Sequence, residues 1–325
     1  MAARRIGAVI IPHDPPHFLP VLLAMRRHVA EHLGGGAAEK AADVVVGLSG
    51  GADSTALLAA ALVEGLRVHA VVIDHGLQRD SALVAGRAAS IAVAMGASAS
   101  VHRVRVDGPG GMEAAARAAR YAALERAARG RPIVVGHTRE DQAETYLLGA
   151  LRGNPAGMRP VAGNLHRPLL GVRRADTQGA CRELGIAAWQ DPHNDDPAVR
   201  RVALRHRVIP EMAETLGIGD PVTALAQAAS RAAEDAAALE EWARQAETTS
   251  AAELALLPRA VRSRIIARMV LAAGGKVTGA SVGAVDALVT AWRGQGPVSV
   301  GAGLAVTRAD GKLTVTREKG VRDAR

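Results

Sequence analysis

Residues 49–55, Ser-Gly-Gly-Ala-Asp-Ser-Thr, have the types and spacing of a phosphate cradle. Two adjacent glycines let backbone approach an anion closely, and the first N–H groups of a following helix, with its dipole, favour negative charge. Ser49, Ser54 and Thr55 add hydroxyl donors, and Asp53 can hold a divalent cation that shields phosphates. No lysine follows the glycines, which excludes a loop of the G-x-x-x-x-G-K-[ST] kind. Without chemistry, the same stretch is a Gly-Gly turn capped by serines.

Three further groups could act with it. Asp74-His75-Gly76 ends the apolar run Val71–Ile73, a place where an acid often takes the ribose or base of a nucleotide. A capped turn is the plain alternative. Glu113, Arg117, Arg120 and Tyr121 follow helical spacing, and Glu113 with Arg117 by itself makes a surface ion pair. In the run from Gly136 to Thr145, the residues His137, Asp141 and Glu144 fall at i, i+4 and i+7. They share one face of a helix if it begins at His137. An imidazole with two carboxylates could hold a metal. The plain alternative is a solvated acidic helix start, where the helix dipole favours anions.

These groups meet only if the chain returns each of them to one edge of a sheet. The pattern predicts strand 44–48, helix 55–64, strand 67–74, helix 81–95, strand 100–106, helix 113–129, strand 132–136 and helix 140–151. That alternation implies an α/β fold with a parallel sheet covered on both faces and ligands at the carboxyl ends of its strands. Helical spacing also covers 18–33, 173–184 and 198–216, the last kinked or broken at Pro210. Residues 221–248 read as a connecting helix with Leu225, Ala232, Leu239 and Trp242 facing neighbouring structure. Helices 254–273 and 279–293 and strands 297–300, 304–308 and 312–317 follow, with a hairpin turn at Asp310-Gly311. The domain expectation is an extension over 1–40, a catalytic domain over 41–217, a helical linker over 218–250 and a smaller α+β domain over 251–325.

The cradle resembles the SGGxDS signature of the PP-loop ATP pyrophosphatases. Asp74-His75-Gly76-Leu77 resembles the DHGLR of the tRNA(Ile)-lysidine synthase family, with Gln78 for arginine. Glu113–Tyr121 resembles that family's E-A-x-A-R-x-x-R-Y. His137–Thr145 resembles H-H-x-D-D-Q-x-E-T, with Thr138 for the second histidine and Glu140 for the first aspartate. Arg167–Leu170 resembles R-P-L-L, Asp191–Asp196 resembles D-x-S-N-x-D with His193 for serine, and Arg201–Pro210 resembles R-N-x-x-R-x-x-x-L-P with Val202 for asparagine. The resemblance runs from about residue 41 to 215 and is looser beyond.

It implies ATP-dependent ligation of L-lysine to the wobble cytidine of tRNA(Ile) with anticodon CAU, releasing AMP and pyrophosphate. It implies ATP and Mg2+ as cofactors, with Ser49, Gly50, Gly51, Ala52, Asp53, Ser54, Asp74, His75 and Gly136 around the nucleotide and Asp53 on the metal. Arg117 and Arg201 would meet phosphate charge, and His137, Asp141 and Glu144 would serve substrate activation and lysine. The C-terminal domain would hold the tRNA. A tRNA thiolase, a small-molecule synthetase with the same loop and a non-catalytic RNA-binding protein are the alternatives; one cysteine argues against the first.

Composition bounds the rest. The chain has 325 residues, 49% hydrophobic and 22% charged, enough for two domains with buried cores. Aromatic residues make up only 2%, so those cores must be built from Ala, Val, Leu and Ile. A net charge of +8 suits a polyanionic partner. The single cysteine, Cys181, excludes disulfides and Cys-x-x-Cys metal pairs, fits a reducing cytoplasm and is expected as a small buried apolar residue. Neither a signal peptide nor a membrane span is expected. A homodimer is left open.

Overall fold

The computed structural model describes residues 5–34, 42–76, 80–106, 112–191 and 199–318, the side chains of 112 and 113 excepted. The positions of Gln78 and of the 192–198 loop therefore lie outside the described residues, as does the side chain of Glu113. Two compact units emerge, Met1–Ala233 and Glu234–Arg325, dividing inside the helix that the sequence places over 221–248.

In the first unit, β1 (Arg5–Ile6) and β2 (Val9–Ile10) form a short hairpin ahead of helix α1 (Phe18–His32). The main sheet has the order β5-β4-β3-β6-β8-β7, from β3 (Asp43–Gly47), β4 (Arg67–Asp74), β5 (Ser98–Arg103), β6 (Ile133–Val134), β7 (Val161–Ala162) and β8 (Leu165–His166). All pairs are parallel except β7 with β8. The chain leaves β3 toward β4 and β5, then returns to β6 on the other side of β3. That reversal is a topological switch point, where a crevice opens at the carboxyl ends of β3 and β6.

Alternate residues of the central strands go to opposite faces. Val44, Val46, Val68, Ala70 and Val72 pack with α1, α2 (Ala52–Val63), α3 (Ser81–Ala94) and α6 (Arg174–Glu183). Val45, Val71, Ile133 and Val135 pack instead with Leu124 and Ala128 of α4 (Met112–Ala128). The face under α2 is alanine-rich because a short side chain lets helix and sheet approach closely. Residues 18–32, which matched no motif, are core: Phe18, Val21 and Met25 are fully buried.

Three expectations change locally. Helix α2 begins at Ala52, inside the cradle, rather than at Thr55. Helix α5 (Arg139–Ala150) begins after His137, with Thr138 as its cap, so His137 shares no helix face with Asp141 and Glu144. Around Pro210 the chain stays helical: α7 (Arg200–Ala203) runs through a wide turn, Leu204–Val208, into α8 (Ile209–Leu216). There Ile209 N–H bonds to Leu204 O, five residues back, and the widened turn accommodates the missing proline donor.

Helix α9 (Pro221–Gln245) buries Ala226, Ala229, Ala233 and Ala243, while Trp242 is 46% exposed, contrary to its expected placement. In the second unit the expected helix over 254–273 is two, α10 (Ala251–Leu256) and α11 (Arg259–Ala272). Pro258 forces Leu257 into an extended conformation (ψ 148°) and ends the first. Helix α12 (Gly279–Thr290) then packs against the antiparallel strands β9 (Val298–Ser299), β10 (Leu304–Ala309) and β11 (Lys312–Arg317). The Asp310-Gly311 turn has φ of 50° and 75°, the doubly left-handed pair of a tight hairpin.

Candidate active site

The cradle follows β3 directly. Gly50 has φ 83°, in the region that favours glycine, and its carbonyl accepts from Trp189 N–H at 2.9 Å. The Ser54 hydroxyl accepts from Ser49 N–H at 3.1 Å, donates to Gly51 O at 3.1 Å and lies 3.0 Å from the Ser49 hydroxyl. Ser54 is buried and holds the loop closed, while Ser49 stays exposed. The first turn of α2 presents N–H groups that have no intrahelical acceptor. Across the crevice Gly136 comes so near that a Cβ there would lie 2.8 Å from Asp53 O and 3.0 Å from Ser54 N.

Asp53 does not point freely to solvent. Thr177 donates its hydroxyl to Asp53 Oδ1, and Arg174 Nε lies 3.3 Å from Oδ2 without hydrogen-bond geometry. Burial pushes this carboxyl above its ordinary range, against the pull of Arg174 and Thr177. Arg174 also donates from Nη2 to Asp141 Oδ1 at 2.9 Å. Burial works against the charge on Arg174, but Asp141, Asp53 and Glu144 outweigh it and hold the guanidinium firmly protonated.

Asp141 completes a capping box: Thr138 N–H and hydroxyl donate to its Oδ2 at 2.8 and 3.0 Å. Burial would raise its pKa, yet Arg174, His137 and the Thr138 donors hold it down at about 2. Glu144, one turn on, is fully buried. Arg205 grips its Oε1 from Nε at 2.8 Å and Nη2 at 2.6 Å; Arg201 Nη1 stands 3.6 Å from Oε2, which has no hydrogen-bond partner. Burial, then the charge of Asp141, raise the Glu144 pKa despite Arg205. Arg201 also donates to Thr145 Oγ1 at 3.3 Å.

Asp74 ends β4, buried, and accepts from Gly76 N–H at 2.9 Å. Burial opposes its ionisation, but that bond, Ser81 and Arg103 leave its pKa lowered. Burial depresses His75, and it pushes His137 down to about 3, so His137 is a neutral imidazole. Arg117 and Arg120 approach the Tyr121 ring at 4.9 and 5.3 Å, forming one basic stripe on α4.

The switch point thus gathers the cradle, Gly136, Asp141 and Glu144, with His137 beside Arg117 and Arg120. No sequence motif marks a role for Arg174, Thr177, Arg205 or Arg167 taken singly. The first two sit on α6, about 120 residues after the cradle, and only the R-P-L-L and R-x-x-x-R runs point to the others. Cys181 is buried, donates to Ala52 O at 3.5 Å and has its thiol pushed up by burial to about 12, so it supplies no reactive thiolate. No group of three or more metal-ligating side chains exists among the described residues. No described helix is long and apolar enough to cross a membrane.

Residues 23–212 match the PP-loop domain family. The tRNA(Ile)-lysidine synthase of Corynebacterium glutamicum is 46% identical over 330 residues, covering 97% of this chain and 99% of that one. That of Nocardia farcinica is 47% identical over 315 residues, covering 91% and 97%. Among solved structures, the U34-tRNA thiolase NcsA from Methanococcus maripaludis is similar in fold, with TM-score 0.52 over 68% of this chain and 83% of that chain at 14% identity. A PP-loop cradle at the switch point of an α/β sheet, with near-full-length relatives of one kind, settles the family: this chain is a member of the tRNA(Ile)-lysidine synthases.

Proposed function

We propose that the protein ligates L-lysine to C2 of the wobble cytidine of tRNA(Ile) with anticodon CAU, splitting ATP into AMP and pyrophosphate. The observation that carries this reading is the meeting of the glycine cradle with Asp141 and Glu144 across one crevice, Arg174 joining the two sides.

In the first step the cytidine O2 attacks the α-phosphorus of ATP, and the bond from that phosphorus to the pyrophosphate oxygen breaks. The helix-α2 N–H groups and the Ser49 hydroxyl bind the leaving phosphates, and Arg174 adds a fixed positive charge beside Asp53. In the second step the lysine amine attacks C2, AMP leaves with O2, and the amine gives up a proton. Glu144 is suited to take it, since burial raises its pKa and Oε2 keeps a free acceptor position. Catalysis is then mainly positioning and charge stabilisation.

Mg2+ fits one place. Asp53 is 26% exposed, and its Oδ2 makes no hydrogen bond to the nearby Arg174 Nε. One carboxylate plus phosphate oxygens is how Mg2+ is ordinarily held beside a nucleotide. When bound there, the ion would neutralise phosphate charge.

The second unit would hold the tRNA body through phosphate contacts. Arg259, Lys276 and Arg293 are exposed and suited to that, whereas Arg262 is pinned internally to Asp286 and to Leu257 O at 2.8 Å. The test incubates the protein with ATP, labelled lysine and a tRNA(Ile) transcript with anticodon CAU. Label should enter the RNA one for one with AMP; AMP without labelled RNA overturns the reading.

A further inference from the structure

Among the described residues six buried polar side-chain atoms have no hydrogen-bond partner, and all six lie around the crevice: His75 Nδ1, Tyr121 OH, His137 Nδ1, Glu144 Oε2, Arg167 Nε and Arg174 Nε. Glu144 and Arg174 belong to the chemistry above. The other four surround Arg117 and Arg120 of α4 and have no assigned partner in it.

Arg167 directly follows β8 and His137 lies three residues beyond β6, and Val135 N–H bonding to His166 O at 3.0 Å holds these strand ends side by side. Arg167 is 8% exposed; its Nη1 donates to Arg159 O at 2.9 Å, and its guanidinium also faces the Tyr121 hydroxyl. Its neighbours Tyr121, Arg117 and Arg159 include no carboxylate, and burial lowers its pKa. Arg120 is half-buried and Arg117 is exposed, so three guanidinium groups grade from a buried floor to an open mouth. Among the described side chains none of the three makes an ion pair. Buried cations left without a counter-charge are costly, and a bound anion removes that cost.

Resting on the proposed function, we infer that Arg117, Arg120 and Arg167 form a second anion subsite, which takes a phosphodiester of the RNA beside the reacting nucleotide rather than a phosphate of ATP. Helix α2, which carries the cradle, packs on one face of the sheet and α4, which carries Arg117 and Arg120, on the other, so the two sets of anion-binding groups come from different faces. The open mouth at Arg117 suits a strand of a macromolecule, and the fork of Arg167 suits a phosphate.

The test measures full-length Arg167→Gln and Arg167→Lys in lysine incorporation, together with direct binding of the tRNA transcript across a salt series. Arg167→Gln should raise the KM for tRNA roughly tenfold or more with the KM for ATP unchanged, as expected for a lost charge-assisted bond. It should also flatten the log–log salt dependence of binding by roughly 0.7–0.9, one phosphate contact. Arg167→Lys, which keeps the charge without the fork, should recover the salt slope and part of the KM; if Arg167→Gln does not fold, this variant carries the same KM split at smaller size. A raised KM for ATP, or an unchanged salt slope in Arg167→Gln, overturns the subsite. Arg167-dependent tRNA binding by a wild-type protein that ligates no lysine would instead overturn the function and leave the subsite standing.

Discussion

Arg174 donates to Asp141 at 2.9 Å while its Nε faces Asp53 at 3.3 Å, so one side chain of α6 links the cradle to the acidic start of α5. Removing it leaves two part-buried carboxylates facing each other, and breaking such a pair typically costs about 3–5 kcal/mol. Arg174→Ala should lower the melting temperature clearly and abolish AMP formation. Arg174→Lys should fold nearly normally yet turn over slowly, because an ammonium cannot span both acids. Full turnover by Arg174→Lys would remove Arg174 from the positioning of Asp53.

Asp141 and Glu144 should separate kinetically. Asp141 is committed to the cap and to Arg174, so Asp141→Asn should impair the ATP and lysine requirements together. Glu144 Oε2 has no hydrogen-bond partner, with Arg201 3.6 Å away, and Glu144→Gln should raise the KM for lysine on the order of tenfold to a hundredfold while leaving that for ATP nearly unchanged. Steady-state kinetics with each substrate varied decides it. Equal losses in the Glu144 variant would assign Glu144 to adenylation.

Gly136→Ala is a steric test. The added Cβ would sit 2.8 Å from the Asp53 carbonyl oxygen, backbone that cannot rotate away, so α2 or β6 must shift. ATP binding, read by equilibrium titration, should weaken at least tenfold, and stability should fall by about 1–3 kcal/mol. Unchanged ATP affinity would show that the cradle tolerates displacement.

Acid should unfold the first unit in stages. His28 is buried, its Nε2 2.9 Å from His166 Nδ1, and burial followed by the His166 and His32 charges pushes its pKa from 6.5 to about 4. The unfolded chain therefore binds a proton that the folded chain refuses, and stability is lost as pH falls from 6.5 to 4. Asp141, held at about 2 against an ordinary 3.8, adds a loss below pH 3.8. Urea midpoints taken from pH 7.5 to 4.5 should decline, and His28→Gln should flatten that decline by at most about 1.4 kcal/mol per pH unit. An identical slope in the variant would exclude His28 as its source.

The family, the cradle and the alternation of strands and helices were legible in the sequence because each rests on local spacing. Glycine at a phosphate turn, apolar runs of strand length and the Asp310-Gly311 hairpin need no distant partner. Acids near the start of α5 were equally readable, and one of them closes its capping box. What tertiary structure alone decided is how these charges are spent. Arg174 and Thr177 come to Asp53 only because α6 packs on α2, and Arg205 comes to Glu144 only because the chain stays helical through the wide turn before Pro210. His137 leaves the helix face its spacing suggested, since Thr138 caps α5 one residue later. Residues 18–32 carry no motif yet supply Phe18, Val21 and Met25 to the core, because burial depends on the summed apolar surface of elements far apart in sequence, which no local spacing records.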